Sequence, residues 1–156
     1  MSINLKKLGD DHPSVASTYN NMAIVYREQG KYEEALAMHE KALSISLKKL
    51  GDDHPSVAAT YNNMAVVYMK QGKYEEALAM YEKALSINLK KLGDDHPSVA
   101  DTYANIGILY DEKLNKYKEA LDLYRKALKI RKAKLGDEHP KTKKTMRFIA
   151  RCEAQV

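Results

Sequence analysis

The sequence predicts an all-α solenoid built from stacked helical hairpins, on three observations. The chain repeats itself: residues 5–46 and 47–88 differ at six positions and agree at 36 of 42, and a third copy starts at Leu89 and gains one residue between Tyr110 and Tyr117. Apolar residues recur within each copy at helical spacing. Each copy also carries the same stop-and-start punctuation, Leu-Gly followed by an Asp-rich stretch and His-Pro. A period of this length marks units that cannot bury an apolar face alone and must stack on neighbours.

The elements of the first copy follow in order. Leu8-Gly9 reads as a helix end, because Gly takes the left-handed conformation that closes many helices. Asp10, Asp11 and His12 supply turn and N-cap chemistry, and Pro13 suits a first helical turn, where its missing N–H is no loss. The leading helix (A) is expected from about Pro13 to Gln29, with Tyr19, Met22, Ala23 and Tyr26 on one buried face. Gln29-Gly30-Lys31 breaks it. The second helix (B) is expected from about Tyr32 to Leu50, burying Tyr32, Ala35, Leu36, His39, Leu43, Leu47 and Leu50, with small Ala35 and Ala42 permitting close approach. Glu33-Glu34 at its start and Lys48-Lys49 at its end suit the helix dipole. The layout is then residues 1–8 as the end of a truncated helix B, repeats at 9–50, 51–92 and 93–135, and a C-terminal helix in 136–156.

At this point the residues carry a resemblance. Tyr19, Met22, Ala23, Tyr26, Gly30, Ala35, His39 and Ala42 stand at the spacing of the tetratricopeptide repeat. Tyr61, Met64, Ala65, Tyr68, Gly72, Ala77, Tyr81 and Ala84 repeat it, as do Tyr103, Ile106, Gly107, Tyr110, Ala120, Tyr124 and Ala127. The extra length over the usual unit of about 34 residues, with the LGDDHPSVA and YNN-x-A-x-x-Y segments, resembles the repeats of kinesin light chains. The resemblance implies a right-handed α-α superhelix with the A helices lining its concave side. It implies a protein-interaction scaffold and no enzyme.

On a helical wheel, Asn21, Asn63 and Asn105 lie opposite the buried face of their A helices. Ser17, Ile24 and Glu28 share that outer face, with Asn20 and Arg27 at its edge; Asn62, Val66, Met69 and Lys70 follow in the second copy. A carboxamide both donates and accepts, so a row of them can hold the backbone of an extended peptide whatever its side chains. The same Asn residues could instead bond to the adjacent repeat and set only the stacking. Ile24, Val66 and Ile108 would floor a groove or pack between repeats. The two copies differ at Ser17/Ala59, Ile24/Val66, Arg27/Met69, Glu28/Lys70, His39/Tyr81 and Ser46/Asn88, and four of these six pairs lie on the proposed groove face.

Two known ligand modes find thin support. A terminal-carboxylate clamp needs basic residues where this chain has Asn20, Ile24, Asn63, Asp101 and Asn105. Acidic cargo, which kinesin light chains recognise, would meet Arg27 and Lys70 but also Glu28, Asp101, Asp111 and Glu112.

Other chemistry is sought and not found. His12, His54, His96 and His139 recur one per repeat and cannot share a metal ion; capping or loop packing is the reading. No phosphate loop or nucleophile motif is present, and no cofactor is expected. With 44% hydrophobic and 30% charged residues the chain is rich enough to fold. No apolar run is long enough to cross a membrane, and no secretory leader is visible. Cys152 is the sole cysteine, which suits a reducing, cytoplasmic setting; it is expected near a frayed end, inert or incidentally reactive. The formal charge is +5, and Lys141, Lys143, Lys144, Arg147 and Arg151 make the last helix basic. That helix reads as a soluble cap, or less well as a nucleic-acid site. Residues 2–8 equal 86–92, so the chain reads as a fragment or a copy-number variant. Its unpartnered ends raise end-to-end self-association as the alternative function.

Overall fold

The computed structural model describes residues 12–156; the expected helix end at residues 1–8 and the apolar face at 3–8 lie outside them. The described residues form α1 (Pro13–Glu28), α2 (Tyr32–Leu50), α3 (Pro55–Lys70), α4 (Tyr74–Leu92), α5 (Pro97–Ile108), a π-helical turn (Leu109–Lys113), α6 (Tyr117–Leu135) and α7 (Pro140–Glu153), with no strand among them. The chain divides into two compact units, one running to Ile87 and one covering Asn88–Val156.

Each helix A starts with the same device. The imidazole Nδ1 of His12 accepts the Ser14 N–H at 3.1 Å, that of His54 the Ser56 N–H at 3.0 Å, that of His96 the Ser98 N–H at 3.0 Å, and that of His139 the Lys141 N–H at 3.1 Å. An accepting Nδ1 carries no proton, which fixes the tautomer of a neutral ring. The histidines are therefore helix caps, as the spacing predicts, with Pro at the first helical position.

Helix A ends where expected. Gly30 has φ +78°, the Lys31 N–H reaches Tyr26 O at 2.8 Å and the Gly30 N–H reaches Arg27 O at 3.0 Å, the paired bonds of a Schellman ending. Gly72 and Lys73 repeat it. In the third copy the extra residue is absorbed by widening one turn. The Leu114 N–H bonds Leu109 O at 3.2 Å, five residues back, and Asn115 takes the left-handed position at φ 56°. A single inserted residue commonly appears as such a π-turn.

In the first unit α2 packs against both α1 and α3. Its core gathers Ala23, Ala35, Leu36, Met64 and Val67, with half-buried Tyr26, Tyr61 and Tyr68 around them. The small residues are the fully buried ones, so the backbones come close; the tyrosines pack their rings at the margin. Lys41 sits over Tyr19 at 5.5 Å and Lys83 over Tyr61 at 5.4 Å, and in the second unit Lys126 sits over Tyr103 at 5.6 Å. Cation–π contacts at such exposed sites contribute about 0.5–1 kcal/mol each.

One expectation about α2 needs correction. Leu47 is exposed, and the buried stripe of the second half runs through Ala42, Ile45 and Ser46. Ala42 and Ile45 close on Val15 and Ala16 of α1, so that half of the helix buries the side facing its own hairpin partner. Leu43 joins a cluster with Val57 and Ala58 of α3 and Ala84 and Ile87 of α4.

In the second unit α6 packs against α5 and α7. Tyr124 is wholly buried, and Gly107 stands where the other copies carry Ala23 and Ala65. A Cβ at Gly107 would lie 2.7 Å from Cε1 of the Tyr124 ring. Gly107→Ala should therefore displace Tyr124 and lower stability by about 1–3 kcal/mol, the usual range for overpacking; urea denaturation measures it.

Candidate functional site

The outer faces of α1 and α3 carry the proposed groove residues of the first unit. Ser17, Asn21 and Glu28 are exposed and Asn20, Ile24 and Arg27 half-buried; on α3, Ala59 and Lys70 are exposed and Asn62, Asn63, Val66 and Met69 half-buried. Asn105 and Ile108, on α5 of the second unit, are half-buried. Both helices are aimed the same way by one cause: each buries its small residues and thereby turns the opposite stripe outward.

The two neighbouring asparagines of α1 have different fates. The Asn20 carboxamide donates from Nδ2 to Thr60 Oγ1 at 3.2 Å, and its Oδ1 pairs with His39 Nδ1 at 2.8 Å. Thr60 in turn donates to Ser56 O at 3.2 Å. Asn20, proposed above as a groove contact, is thus spent on holding α1, α2 and α3 together. The cross-repeat bonding weighed for Asn21 belongs to its neighbour. His39 is completely buried, and its Nε2 has no hydrogen-bond partner among the described residues. Burial, with the positive Arg27 adding to it, pushes the imidazole down to about 4. In the second copy Tyr81 replaces His39, and the buried Asn62 Oδ1 is left without a partner among the described residues.

Beside Asn20 a cleft of about 250 Å³ opens between α1, α2 and α3, lined by Ser17, Asn20, Ser46, Leu50, Ser56 and Ala59 among others. The corresponding place between α5, α6 and α7 is filled from within. Arg131, nearly buried, donates to Thr145 Oγ1 at 2.7 Å and to Asp101 Oδ1 at 3.0 Å, and Lys141 Nζ lies 3.3 Å from the same Asp101 oxygen. Ala104 stands where Asn20 and Asn62 stand in the other copies. The guanidinium takes over the bond to a helix-A threonine that a carboxamide makes in the first unit.

A second cluster ties α7 to the π-turn. Asp111, 5% exposed, accepts from the Tyr124 hydroxyl at 3.1 Å and from Arg151 Nη2. Asp101 and Asp111, expected to oppose acidic cargo from the surface, are thus both engaged with basic residues of their own unit. Cys152, expected near a frayed end, is fully buried in α7. Burial and the adjacent Asp111 push its thiol up to about 11, so it stays protonated and inert. A polar cleft of about 470 Å³ lies alongside, lined by Glu112, Lys113, Asn115, Tyr117 and Arg151 among others.

Among the described residues no cluster of His, Cys, Asp and Glu could hold a metal ion, and no helix is long and apolar enough to cross a membrane. The tetratricopeptide repeat pattern matches residues 1–48, 14–88 and 56–133. The chain belongs to the tetratricopeptide repeat family.

Proteins of this family generally bind protein partners. No curated protein matches the chain. Among solved structures it is similar to BtubC (BKLC) from P. vanneervenii, with 25% identity, a TM-score of 0.84, and coverage of 96% of this chain and 60% of that one. It is also similar to a kinesin light chain-type protein of Podosopora anserina with nearly identical TPR-like repeats, with 28% identity, a TM-score of 0.78, and coverage of 97% and 71%. The apo form of RapI shares the fold at 23% identity and a TM-score of 0.81, over 99% of this chain and 53% of that one. The kinesin light chain-like character of the tetratricopeptide repeats thus agrees with the longer unit.

Cross-repeat bonding is expected of Asn21 and found at Asn20, and the Arg131 clasp is not expected at all, yet each left a signal. Asn20 and Asn62 give way to Ala104 in the same copy in which Ser46 and Asn88 give way to Arg131, and Ser17 and Ala59 to Asp101. Three linked replacements at one internal boundary are the trace of a swapped lock.

Proposed function

We propose that this tetratricopeptide scaffold binds an extended peptide segment along the outer faces of its A helices. Asn21 and Asn63 grip the peptide backbone in the first unit, and Asn105 does so at the matching position of the second. Ile24 and Val66 supply apolar contacts beside them, and Arg27, Met69 and Lys70 tune the choice of side chains. Asn20 stands behind this row as a stacking residue, and half-buried Asn62 adds to the row at its edge. The single observation that carries the reading is the division of labour in α1: Asn20 is fully engaged within the protein, whereas the adjacent Asn21 is exposed and bonds no described side chain. A carboxamide held on a rigid helix and left open is pre-organised for a backbone N–H and C=O.

Nucleic acid fits less well. The tyrosines that would stack bases lie half-buried, several beneath lysines, and Lys141, Lys143 and Arg151 of the basic α7 are paired with Asp101, Glu138 and Asp111. The reduced, buried Cys152 suits a cytoplasmic setting. The test is to pan a displayed library of linear peptides on the intact chain and on Asn63→Ala and Asn105→Ala variants. Capture should be lost in the variants with helical content unchanged by circular dichroism. Capture that persists in both removes the carboxamide row from the reading.

A further inference from the structure

The cleft beside Asn20 and the clasp around Arg131 occupy one place in the repeat, lettered in two ways. In the second unit the space is closed by a guanidinium that Asp101 neutralises at 3.0 Å and Thr145 Oγ1 accepts from at 2.7 Å. In the first unit Ser46 stands where Arg131 does, and Ser17 where Asp101 does. The long side chain and its counter-charge are both missing there, and about 250 Å³ lies open between α1, α2 and α3. No charged residue lines the cleft. Its walls carry the hydroxyls of Ser17, Ser46 and Ser56, none of which is hydrogen-bonded among the described residues. Ser46 is only 4% exposed. A hydroxyl that deep, facing a cleft instead of a carbonyl, is poised to receive a polar group. Ser17, Ala59 and Ser46 also stand at three of the six positions where the first two copies differ. The cleft is therefore a property of this joint and not of the repeat in general.

We propose that this cleft is a pocket for a neutral carboxamide, the side chain of a glutamine or asparagine in the guest. Its delivery on a peptide rests on the groove reading above; its chemistry rests on the cleft alone. An ammonium, guanidinium or carboxylate entering here sheds water and meets no opposite charge. An aliphatic side chain leaves the Ser46 hydroxyl without a partner. A carboxamide donates to hydroxyl oxygens and accepts from hydroxyl hydrogens, so it suits a wall of serines. Its methylene stem rests against Ala16, Leu50 and Ala59. The guest thus supplies from outside what Arg131 supplies from within in the second unit.

The first probe is propanamide, titrated into the intact isotope-labelled chain by NMR beside ethylguanidinium and propionate. Propanamide should shift the backbone signals of Ser17, Ser46 and Ala59 saturably, and the two ions should not. Ser46→Ala should weaken this binding about fivefold, the effect of one net hydrogen bond. Ser17→Asp, which restores the counter-charge of the second unit, should pass the preference to ethylguanidinium. Unchanged signal dispersion shows that both variants fold. Ethylguanidinium bound as tightly as propanamide by the wild type overturns the proposal, as does binding indifferent to Ser46→Ala or no shift with any probe. The second arm reads the peptides panned on the intact chain, which should carry glutamine or asparagine at one fixed place. Captured peptides that share no carboxamide overturn the proposal too. Propanamide binding with no peptide captured sinks the groove reading and leaves the pocket standing. Capture that needs Asn63, without propanamide binding, sinks the pocket alone.

Discussion

Arg151→Met should destabilise the second unit by about 2–4 kcal/mol. Breaking a buried ion pair from one side typically costs about 3–5 kcal/mol, because the remaining charge is left without compensation. Here the expected loss is reduced because Arg151 itself is half-exposed, whereas the Asp111 it serves is 5% exposed. With the guanidinium gone, the carboxylate keeps only the Tyr124 hydroxyl and the neighbourhood of Cys152. Replacing both partners, Arg151→Met with Asp111→Leu, should recover only part of the loss, since the unpaired carboxylate is gone but the buried Tyr124 hydroxyl loses its acceptor. Urea midpoints of the wild type, both single variants and the double variant close the cycle. A midpoint for Arg151→Met no lower than that of an exposed control such as Lys118→Met would show that the cluster does not hold α7 in place.

Acid should weaken the first unit through His39. Its folded-state value lies near 4, below the ordinary 6.5, so between those two values the unfolded chain binds a proton that the folded chain refuses. Stability is complete above about pH 6.5 and falls as pH drops, by about 3 kcal/mol on reaching pH 4. His39→Tyr, which installs the residue found at Tyr81, should flatten this part of the profile. It should also cost some stability at neutral pH, because Asn20 then loses its imidazole donor. The measurement is the difference in urea midpoint between wild type and variant across pH 4–7, which cancels the carboxylates common to both. A difference that stays constant with pH would mean that His39 takes up its proton without strain.

Much of the architecture was legible because each unit says the same thing several times. The Gly30 and Gly72 endings, the His-Pro starts and the spacing of Ala23, Ala35 and Ala42 all follow from local rules, and near-identical copies repeat them. The chemistry between helices was harder to read. A wheel places Asn21 opposite the buried face and Asn20 at the edge of the same outer face, and only packing decides that Asn20 meets Thr60 and His39 while Asn21 meets solvent. Leu47 misled for a related reason: periodicity gives a stripe, but which neighbour the stripe faces changes along a long helix. Asp111 is expected among the acids that would oppose acidic cargo, since a one-residue gain between Tyr110 and Tyr117 does not by itself say how the turn takes it up. The π-turn keeps the segment helical and carries the carboxylate inward.

The clasp of Arg131, Asp101 and Thr145 gives the array a form of punctuation. Copies built like the first, with Ser17, Asn20 and Ser46, present the same joint to whatever copy follows, so duplication of such a module leaves every seam unchanged. The third copy cannot be multiplied on the same terms, because its arginine and aspartate answer specifically to α7. Growth in module number is therefore cheap on one side of that clasp and obstructed at it, and the chain carries in its own lettering where an added copy belongs.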